Sequence, residues 1–353
     1  MKYTQEMVNS LIQNIEEEQI LQDIDFSNCD LSQLCFISIK FIRVSLFKVV
    51  LCGADLSNAD LSWSSLVGAN LSGAKLNGAI LSRAKLIRAN LEMVDARNTN
   101  FTFTDFTGAN LEGANFSRAN LKGAQLFGAD LTKVNLSLIV LAGANLSGAK
   151  LEGANLTKAD LKLVNLMGAD LKKVNFTMTD LTGANLKDAD ISGAIFALAN
   201  LSYSNLTRAD LSSANLEVAD LREAILDEAV LREANLVGAN LTRANLRKTE
   251  LAGANLRMAV LNEAILREAN LVGANLTRAN LRKTELAGAN LKMAVLNEAI
   301  LREANLTKAN LERANLEVAD LRDAILDEAI LSAANLDSAI GLSPKPKKKI
   351  SDE

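Results

Sequence analysis

The sequence predicts an all-β solenoid, a chain wound into short coils that stack into a rod. From Phe26 to Leu336 every fifth position is occupied by an apolar residue, over 63 positions without an insertion or deletion. A small residue, usually Ala, stands two positions before each of them, and Asn or Asp most often lies between the two. The repeating unit is therefore A(N/D)Lxx.

This period of five suits neither an α-helix nor a straight strand. On a helix five residues advance by about 500°, so successive leucines would step about 140° around the axis. On a strand an odd spacing places successive leucines on opposite sides. If the chain turns a corner after each unit, however, every Leu and every Ala can point at one shared axis. The remaining polar positions then face solvent, and Asn, Asp and Gly suit the corners.

The A(N/D)Lxx pattern resembles the pentapeptide-repeat family over residues 21–340, and above all its long cyanobacterial members, many of which have no assigned activity. The resemblance implies a right-handed quadrilateral β-helix with four units in each coil. On that basis the 63 units predict about 16 coils. At a strand spacing of about 4.8 Å the rod would be roughly 75 Å long.

Residues 1–20 precede the repeats and have the pattern of an amphipathic helix. The apolar positions with helical spacing are Met7, Val8, Leu11, Ile12 and Ile15. Thr4 is a suitable N-cap. We expect this helix to cover the open end of the first coil, because the end would otherwise expose unpaired backbone. A helix that binds a partner is the alternative.

Residues 341–353 follow the repeats and are basic and poor in apolar residues. Pro344 and Pro346 end the regular pattern, and four lysines accompany them: Lys345, Lys347, Lys348 and Lys349. The composition predicts a disordered, solvated tail. A contact with anionic lipid or nucleic acid is the alternative.

The composition argues against an enzyme. The chain has no His among its 353 residues, which removes the commonest general acid–base and metal ligand. Its three cysteines, Cys29, Cys35 and Cys52, lack zinc-site spacing and are expected to be reduced thiols. Neither a Walker-type loop nor a GxSxG elbow is present. We expect no catalytic residue, metal or cofactor and, without a signal peptide or apolar span, a cytoplasmic location.

Residues 231–265 and 266–300 are a tandem copy that differs only at Arg257 and Lys292. The copied block is seven units long, or one and three-quarter coils if a coil has four sides. Each copied residue would therefore move to a different face. We expect this region to serve as a spacer, because the shift would scramble any face-specific site.

Two outward columns near the N-terminus differ from the rest of the surface. With four units in a coil, one column contains Arg43, Trp63, Arg83 and Phe103, and its neighbour contains Phe47, Val67 and Ile87. The alternation of Arg and aromatic residues in the first column predicts a stack in which each guanidinium lies on an aromatic ring. Nearby are the cations Lys40, Lys48, Lys85 and Arg88. An apolar strip bordered by positive charge is typical of a binding surface. A structural ladder, or cover by the helix or the tail, is the alternative.

The expected function is a protein–protein interaction scaffold whose unidentified partner is acidic. A small-molecule substrate and nucleic acid are not expected, and the rod would be a monomer or an end-to-end dimer. One alternative comes from the same resemblance, namely the quinolone-resistance proteins that mimic DNA and bind gyrase. This chain departs from them in two respects: its outward charges over units 201–336 nearly cancel, and a basic tail stands in place of their C-terminal helical segment. The other alternative is a purely structural or adhesive protein.

Overall fold

The computed structural model describes residues 3–12, 14 and 18–342. It contains helix α1 (Gln5–Ile12) and strands β1 (Ile20–Gln22) and β2 (Lys40–Ile42), which pair in parallel with Leu21 opposite Phe41. Beyond β2 the coils are joined by single-residue parallel bridges, each between residue i and residue i+20, as far as Asp320 and Ile340. Each coil thus closes after four units of the repeat. The predicted total of about 16 coils remains a count from the sequence.

The interior of the rod is formed by the repeated Leu and Ala positions. From Leu31 to Leu321 each residue at the Leu position is at most 2% exposed. Phenylalanines at these positions touch one another, and the rings of Phe176 and Phe196 stack with centroids 4.7 Å apart. Where Ser or Thr replaces Ala, its hydroxyl donates to a main-chain carbonyl, as from Thr99 to Leu76 at 2.6 Å. The inward positions predicted from the period of five are therefore confirmed.

The corners depend on the Asn or Asp of each unit and on a left-handed residue. The Asn155 side-chain carbonyl accepts from the main-chain N–H of Thr157 at 3.1 Å and from its hydroxyl at 2.6 Å. The second residue after each Leu has a positive φ, such as 64° at Gly108. This conformation suits Gly and strains other residues. Many corners nevertheless carry a side chain there, and Trp63 has a φ of 61°.

Helix α1 packs on the first coil but is shorter than the pattern predicts. Thr4 Oγ1 accepts a hydrogen bond from the Met7 N–H at 3.4 Å, in keeping with its predicted role as N-cap. Val8 is fully buried against the core. The helix ends at Ile12 and β1 begins at Ile20, whereas the apolar pattern extends to Ile15, which lies outside the described residues.

The side chain of Gln5 takes the place of a missing coil. In the body of the rod, the residue before each Leu makes both main-chain bonds to the preceding coil, since its N–H donates to that coil and its C=O accepts from it, as at Asn175. Asp30 belongs to the first coil, and its N–H donates to Gln5 Oε1 at 2.8 Å while its C=O accepts from Gln5 Nε2 at 2.9 Å. On the preceding side the Tyr3 N–H donates to the Asp25 C=O at 2.8 Å. Two sides of the first coil are thus closed by the N-terminal segment.

At the other end, the inward residues of the last coil are only half-buried among the described residues. Leu326, Leu331 and Leu336 are partly exposed, whereas Leu321 is 1% exposed. The predicted basic tail with its prolines and lysines lies outside the described residues from residue 343 onward.

The duplicated blocks occupy different faces of the rod, as the sequence predicts. Glu250 bridges Asn270, and its copy Glu285 bridges Asn305, in a column one side away. Each copy keeps its own ion pairs between coils: Arg243 contacts Glu263 at 2.9 Å, and Arg278 contacts Glu298 at 2.9 Å. The copied residues therefore stabilise the rod on whichever face they lie.

Candidate partner-binding surface

The two predicted columns lie on neighbouring corners and border one flat side of the rod. Arg43 and Phe47 belong to the same coil, and each later pair of column residues lies one coil further on. The outward residue of the side between them is Ser45 in this coil and Ser65 in the next, and the two are bridged in parallel. These two floor residues are small, so the larger side chains at both corners stand above them, whereas the floor residues of the next two coils are Lys85 and Asp105.

The first column contains a cation between two aromatic rings. The Arg83 guanidinium carbon lies 4.6 Å from the centroid of Trp63 and 5.5 Å from that of Phe103. The predicted stack is present at these three residues, with Trp63 and Phe103 each 56% exposed. The prediction is wrong for Arg43, whose guanidinium donates to both carboxylate oxygens of Asp23 at 3.1 Å. These hydrogen bonds lower the pKa of the Asp23 carboxyl.

The second column is apolar and only partly covered. Phe47 is exposed, while Val67 and Ile87 are half-buried. The Lys48 ammonium lies 5.3 Å from the Phe47 ring centroid. The structure therefore places the seven predicted residues along one side of four successive coils, where the rings of both columns are open to solvent.

The positive charge of this surface is largely unpaired. The units that contribute the seven predicted residues carry six outward cations and one carboxylate, Asp60. Apart from Arg43, no cation of the set forms an ion pair with a described residue: Lys40, Lys48, Arg83, Lys85 and Arg88. Elsewhere along the rod Arg and Lys commonly pair with carboxylates of an adjacent coil, as Arg208 does with Asp188. This surface is therefore electropositive in a chain whose net charge is −4.

The exposed rings sit at corners where the backbone disfavours them. Trp63 and Phe103 have φ angles of 61° and 57°, whereas Gly123 and Gly143 occupy later positions of the same column. A left-handed conformation costs a non-glycine residue about 1–2 kcal/mol. The Phe103 ring lies over Gly123, with its nearest atom 2.6 Å from where a Cβ would stand. The stack thus ends on a residue without a side chain.

We expect Gly123→Ala to lower the melting temperature more than Gly143→Ala does. Both substitutions introduce the same left-handed strain, but a methyl at Gly143 meets nothing within 4 Å, whereas at Gly123 it collides with Phe103. Differential scanning calorimetry of both variants measures the difference, and tryptophan fluorescence reports whether the stack is displaced. Equal melting temperatures would show that Phe103 does not rest on Gly123.

The described residues show neither a metal centre nor a membrane span. Between residues 3 and 342, leaving out 13 and 15–17, no three His, Cys, Asp or Glu side chains meet in an arrangement that could hold a metal ion. Helix α1 is too short to cross a bilayer, and it is the one helix in that part of the chain.

Sequence reasoning missed a second set of exposed apolar residues in the middle of the rod. They share one corner and are separated by whole coils: Leu138, Met178, Leu198, Val218 and Met258. The signal was present in the sequence, since the same column comparison applied to this corner would have aligned them.

Comparison with known proteins agrees with this architecture. The family model described as pentapeptide repeats matches segments between residues 45 and 317, which is more than half of the chain. No curated protein matches it significantly. Among solved structures, HetL from the cyanobacterium Nostoc sp. strain PCC 7120, described as involved in heterocyst differentiation regulation, is 30% identical. The match covers 70% of this chain and 92% of HetL, with a TM-score of 0.29.

Two further solved structures are similar. Rfr23 from the cyanobacterium Cyanothece 51142 is 36% identical over 29% of this chain and 63% of its own, with a TM-score of 0.23. QnrB1, a plasmid-mediated fluoroquinolone resistance protein, is 23% identical over 51% of this chain and 92% of its own, with a TM-score of 0.32. These TM-scores are low, so the assignment rests on the match to the repeat model. The chain belongs to the pentapeptide-repeat family, whose fold is a right-handed β-helix solenoid.

Proposed function

We propose that this protein is a non-enzymatic scaffold that binds an acidic partner protein through its N-terminal surface. The surface consists of Arg43, Trp63, Arg83 and Phe103 on one corner and Phe47, Val67 and Ile87 on the next. The observation that carries the proposal is the exposed Trp63–Arg83–Phe103 stack, which stands beside cations without a carboxylate partner among the described residues. Trp and Arg are also the residue types most enriched at binding hot spots.

The charge of the surface supports an acidic partner. Unpaired cations raise the rate of association with an acidic protein and suppress cationic competitors. The apolar residues between them would supply the contact area that excludes water. A scaffold of this kind requires no cleft, because the partner is bound on the outside of a rigid rod.

Gyrase binding by DNA mimicry is less well supported. A DNA mimic presents continuous negative charge, whereas many carboxylates of this rod are neutralised by a cation of the same or an adjacent coil. Lys172, for example, contacts both Asp170 and Asp190, at 3.4 and 3.0 Å. QnrB1 is only 23% identical to this chain, with a TM-score of 0.32, so that likeness does not support a shared activity.

The test is the double substitution Trp63→Ala with Arg83→Ala. Proteins retained by the full-length chain from a lysate of its own source organism would first be purified, and their dissociation constants then measured by isothermal titration calorimetry. We expect the double variant to lose about 2 kcal/mol or more of affinity, roughly 30-fold. Binding should weaken with added salt, because it depends on exposed charges.

The matched control is Tyr203→Ala with Arg247→Ala, an exposed aromatic and a cation without an ion-pair partner in the described part of the rod. This pair should leave affinity unchanged. Retention of wild-type affinity by the Trp63 and Arg83 variant would refute the binding surface. A large fall in the melting temperature of that variant would instead identify the stack as a structural ladder.

A further inference from the structure

A second apolar surface lies in the middle of the rod, outside the surface proposed above. Leu138, Met178, Leu198, Val218 and Met258, here called the mid-rod ridge, occupy one corner of successive coils and are between 44% and 54% exposed. Lys158 and Gly238 fill the two gaps in the column. The parallel bridges Asp180–Asn200 and Asn200–Asp220, two residues further along each coil, keep the ridge in line.

Every residue of the ridge has a left-handed backbone. Their φ angles lie between 55° at Val218 and 60° at Met258, and Gly238 in the same column has 66°. Left-handed φ is least favourable for bulky and β-branched side chains. Each of these side chains also leaves about half of its surface in water. Every corner of the rod shares this conformation, and folding alone does not require an apolar side chain at it, so contact with a partner would account for a column of exposed apolar residues.

The side next to the ridge is flat and uncharged along its centre. Its outward residues are amides with one apolar exception: Asn135, Asn155, Asn175, Ile195, Asn215 and Asn235. The corner on the far edge carries small residues, Gly153, Gly193 and Ser213, interspersed with the charged residues Lys133, Lys173 and Glu233. The ridge therefore stands as a wall along one edge of a shallow, open trough.

Charges without ion pairs are divided between the two ends of this trough. Lys133, Lys158 and Lys173, with one carboxylate, Glu152, lie towards the N-terminal end, and Glu217 and Glu233, with one cation, Arg257, lie towards the other. None of the seven forms an ion pair with any residue that the structure describes, so the first end is net positive and the second net negative. An occupant with an acidic end and a basic end would complement both groups.

The backbone of the trough is already fully engaged in pairing between coils. The Asn175 N–H donates to the Ala154 C=O at 3.0 Å, and its C=O accepts from the Leu156 N–H at 2.8 Å. A partner strand could not add to this wall, because strand addition needs an edge with free N–H and C=O groups. An α-helix needs no such groups, and its turns of about 5.4 Å nearly match coils about 4.8 Å apart.

We propose that the mid-rod ridge binds an amphipathic α-helix of a partner protein, laid along the rod. Six coils separate Leu138 from Met258, about 29 Å, which corresponds to a helix of about 20 residues. The apolar stripe of the helix packs on the ridge. Its acidic end lies over Lys133, Lys158 and Lys173, and its basic end lies near Glu217 and Glu233.

The test uses a fluorescent peptide of about 20 residues, the length that spans the ridge, with leucines at i, i+3, i+4 and i+7, glutamates in its first half and lysines in its second. Its anisotropy is titrated with the full-length protein. We expect saturable binding, and at least about tenfold weaker binding of a peptide with the same composition whose leucines are distributed around the helix. Equal binding of the two peptides would overturn the proposal.

The variant Leu198→Gly with Val218→Gly should weaken binding of the striped peptide at least about tenfold. Its melting temperature should stay within about 3 °C of wild type, because the lost side-chain contacts are offset by relief of left-handed strain. Met93→Gly with Met293→Gly is the matched control, since both methionines are exposed, apolar and left-handed but lie off the ridge. It should bind as wild type does. Unchanged affinity of the ridge variant, equal loss in the control, or unfolding of the ridge variant would each refute the ridge as a helix-binding site.

Discussion

The substitution Leu156→Asp is expected to unfold the rod around residue 156. Leu156 is 1% exposed and stacks between coils whose interior is formed by Leu, Ala and Phe. A carboxylate there would be buried without a partner, which costs several kcal/mol even after its pKa rises to neutralise it. Because each coil is bonded only to its two neighbours, the loss also uncouples the coils on either side. Circular dichroism during heating, with limited proteolysis to locate the cleavage sites, measures the effect.

The matched control is Leu163→Asp, the same exchange at the corner of the next side. Leu163 is 72% exposed and left-handed, with a φ of 56°. Asp tolerates that conformation better than Leu, so the control should melt close to wild type or slightly above it. If the two variants melted at the same temperature, the assignment of inward and outward positions would be wrong.

Removal of residues 266–300 is expected to leave a folded, shorter rod. The deletion takes out seven whole units, so every later Leu and Ala still points inward. It removes one and three-quarter coils, so the rod should shorten by roughly 8 Å. Small-angle X-ray scattering measures the length, and circular dichroism should show unchanged β-structure for each residue that remains.

The deletion of residues 266–302 is the out-of-register control. It removes only two more residues, but it takes out one further inward leucine and leaves three residues to cover a side that needs five. We expect this variant to melt at a clearly lower temperature and to be cleaved near residue 265. Equal stability of both deletions would contradict the register of the repeat, and loss of β-structure in the in-register deletion would contradict the independence of the coils.

Most of the fold could be predicted from the sequence, because the five-residue repeat determines both which residues form the core and which form the corners. A fixed spacing of five assigns Leu156 to the interior and Thr157 to a corner, and the amide of Asn155 favours the turn between them. The length of α1 was less predictable, since the pattern from Met7 to Ile15 is compatible with a helix that continues past Ile12. Tertiary contacts with the first coil, such as the burial of Val8, determine which part of the pattern is used.

The contacts of the partner-binding surface were only partly predictable, because an exposed side chain in a column can contact a residue one coil before it or one coil after it. Arg43 lies between Asp23 one coil before and Trp63 one coil after, and two charge-assisted hydrogen bonds to the carboxylate prevail over a ring contact. Arg83 has no carboxylate at either neighbouring position and lies between two rings. The spacing of 20 residues therefore predicted which side chains are neighbours. Which neighbour an arginine contacts depended on whether a carboxylate or only a ring was within reach.

The amide of Gln5 has a consequence for assembly. A stack of parallel coils is in principle open-ended, since each exposed rim could template another chain and so grow into a fibre. At the first coil the Gln5 side chain occupies both main-chain groups of Asp30, and Tyr3 occupies the C=O of Asp25. Polymerisation through that rim would have to break these bonds before forming its own. Two of the four sides of this rim are already bonded within the chain, so the growth of a filament through it is disfavoured.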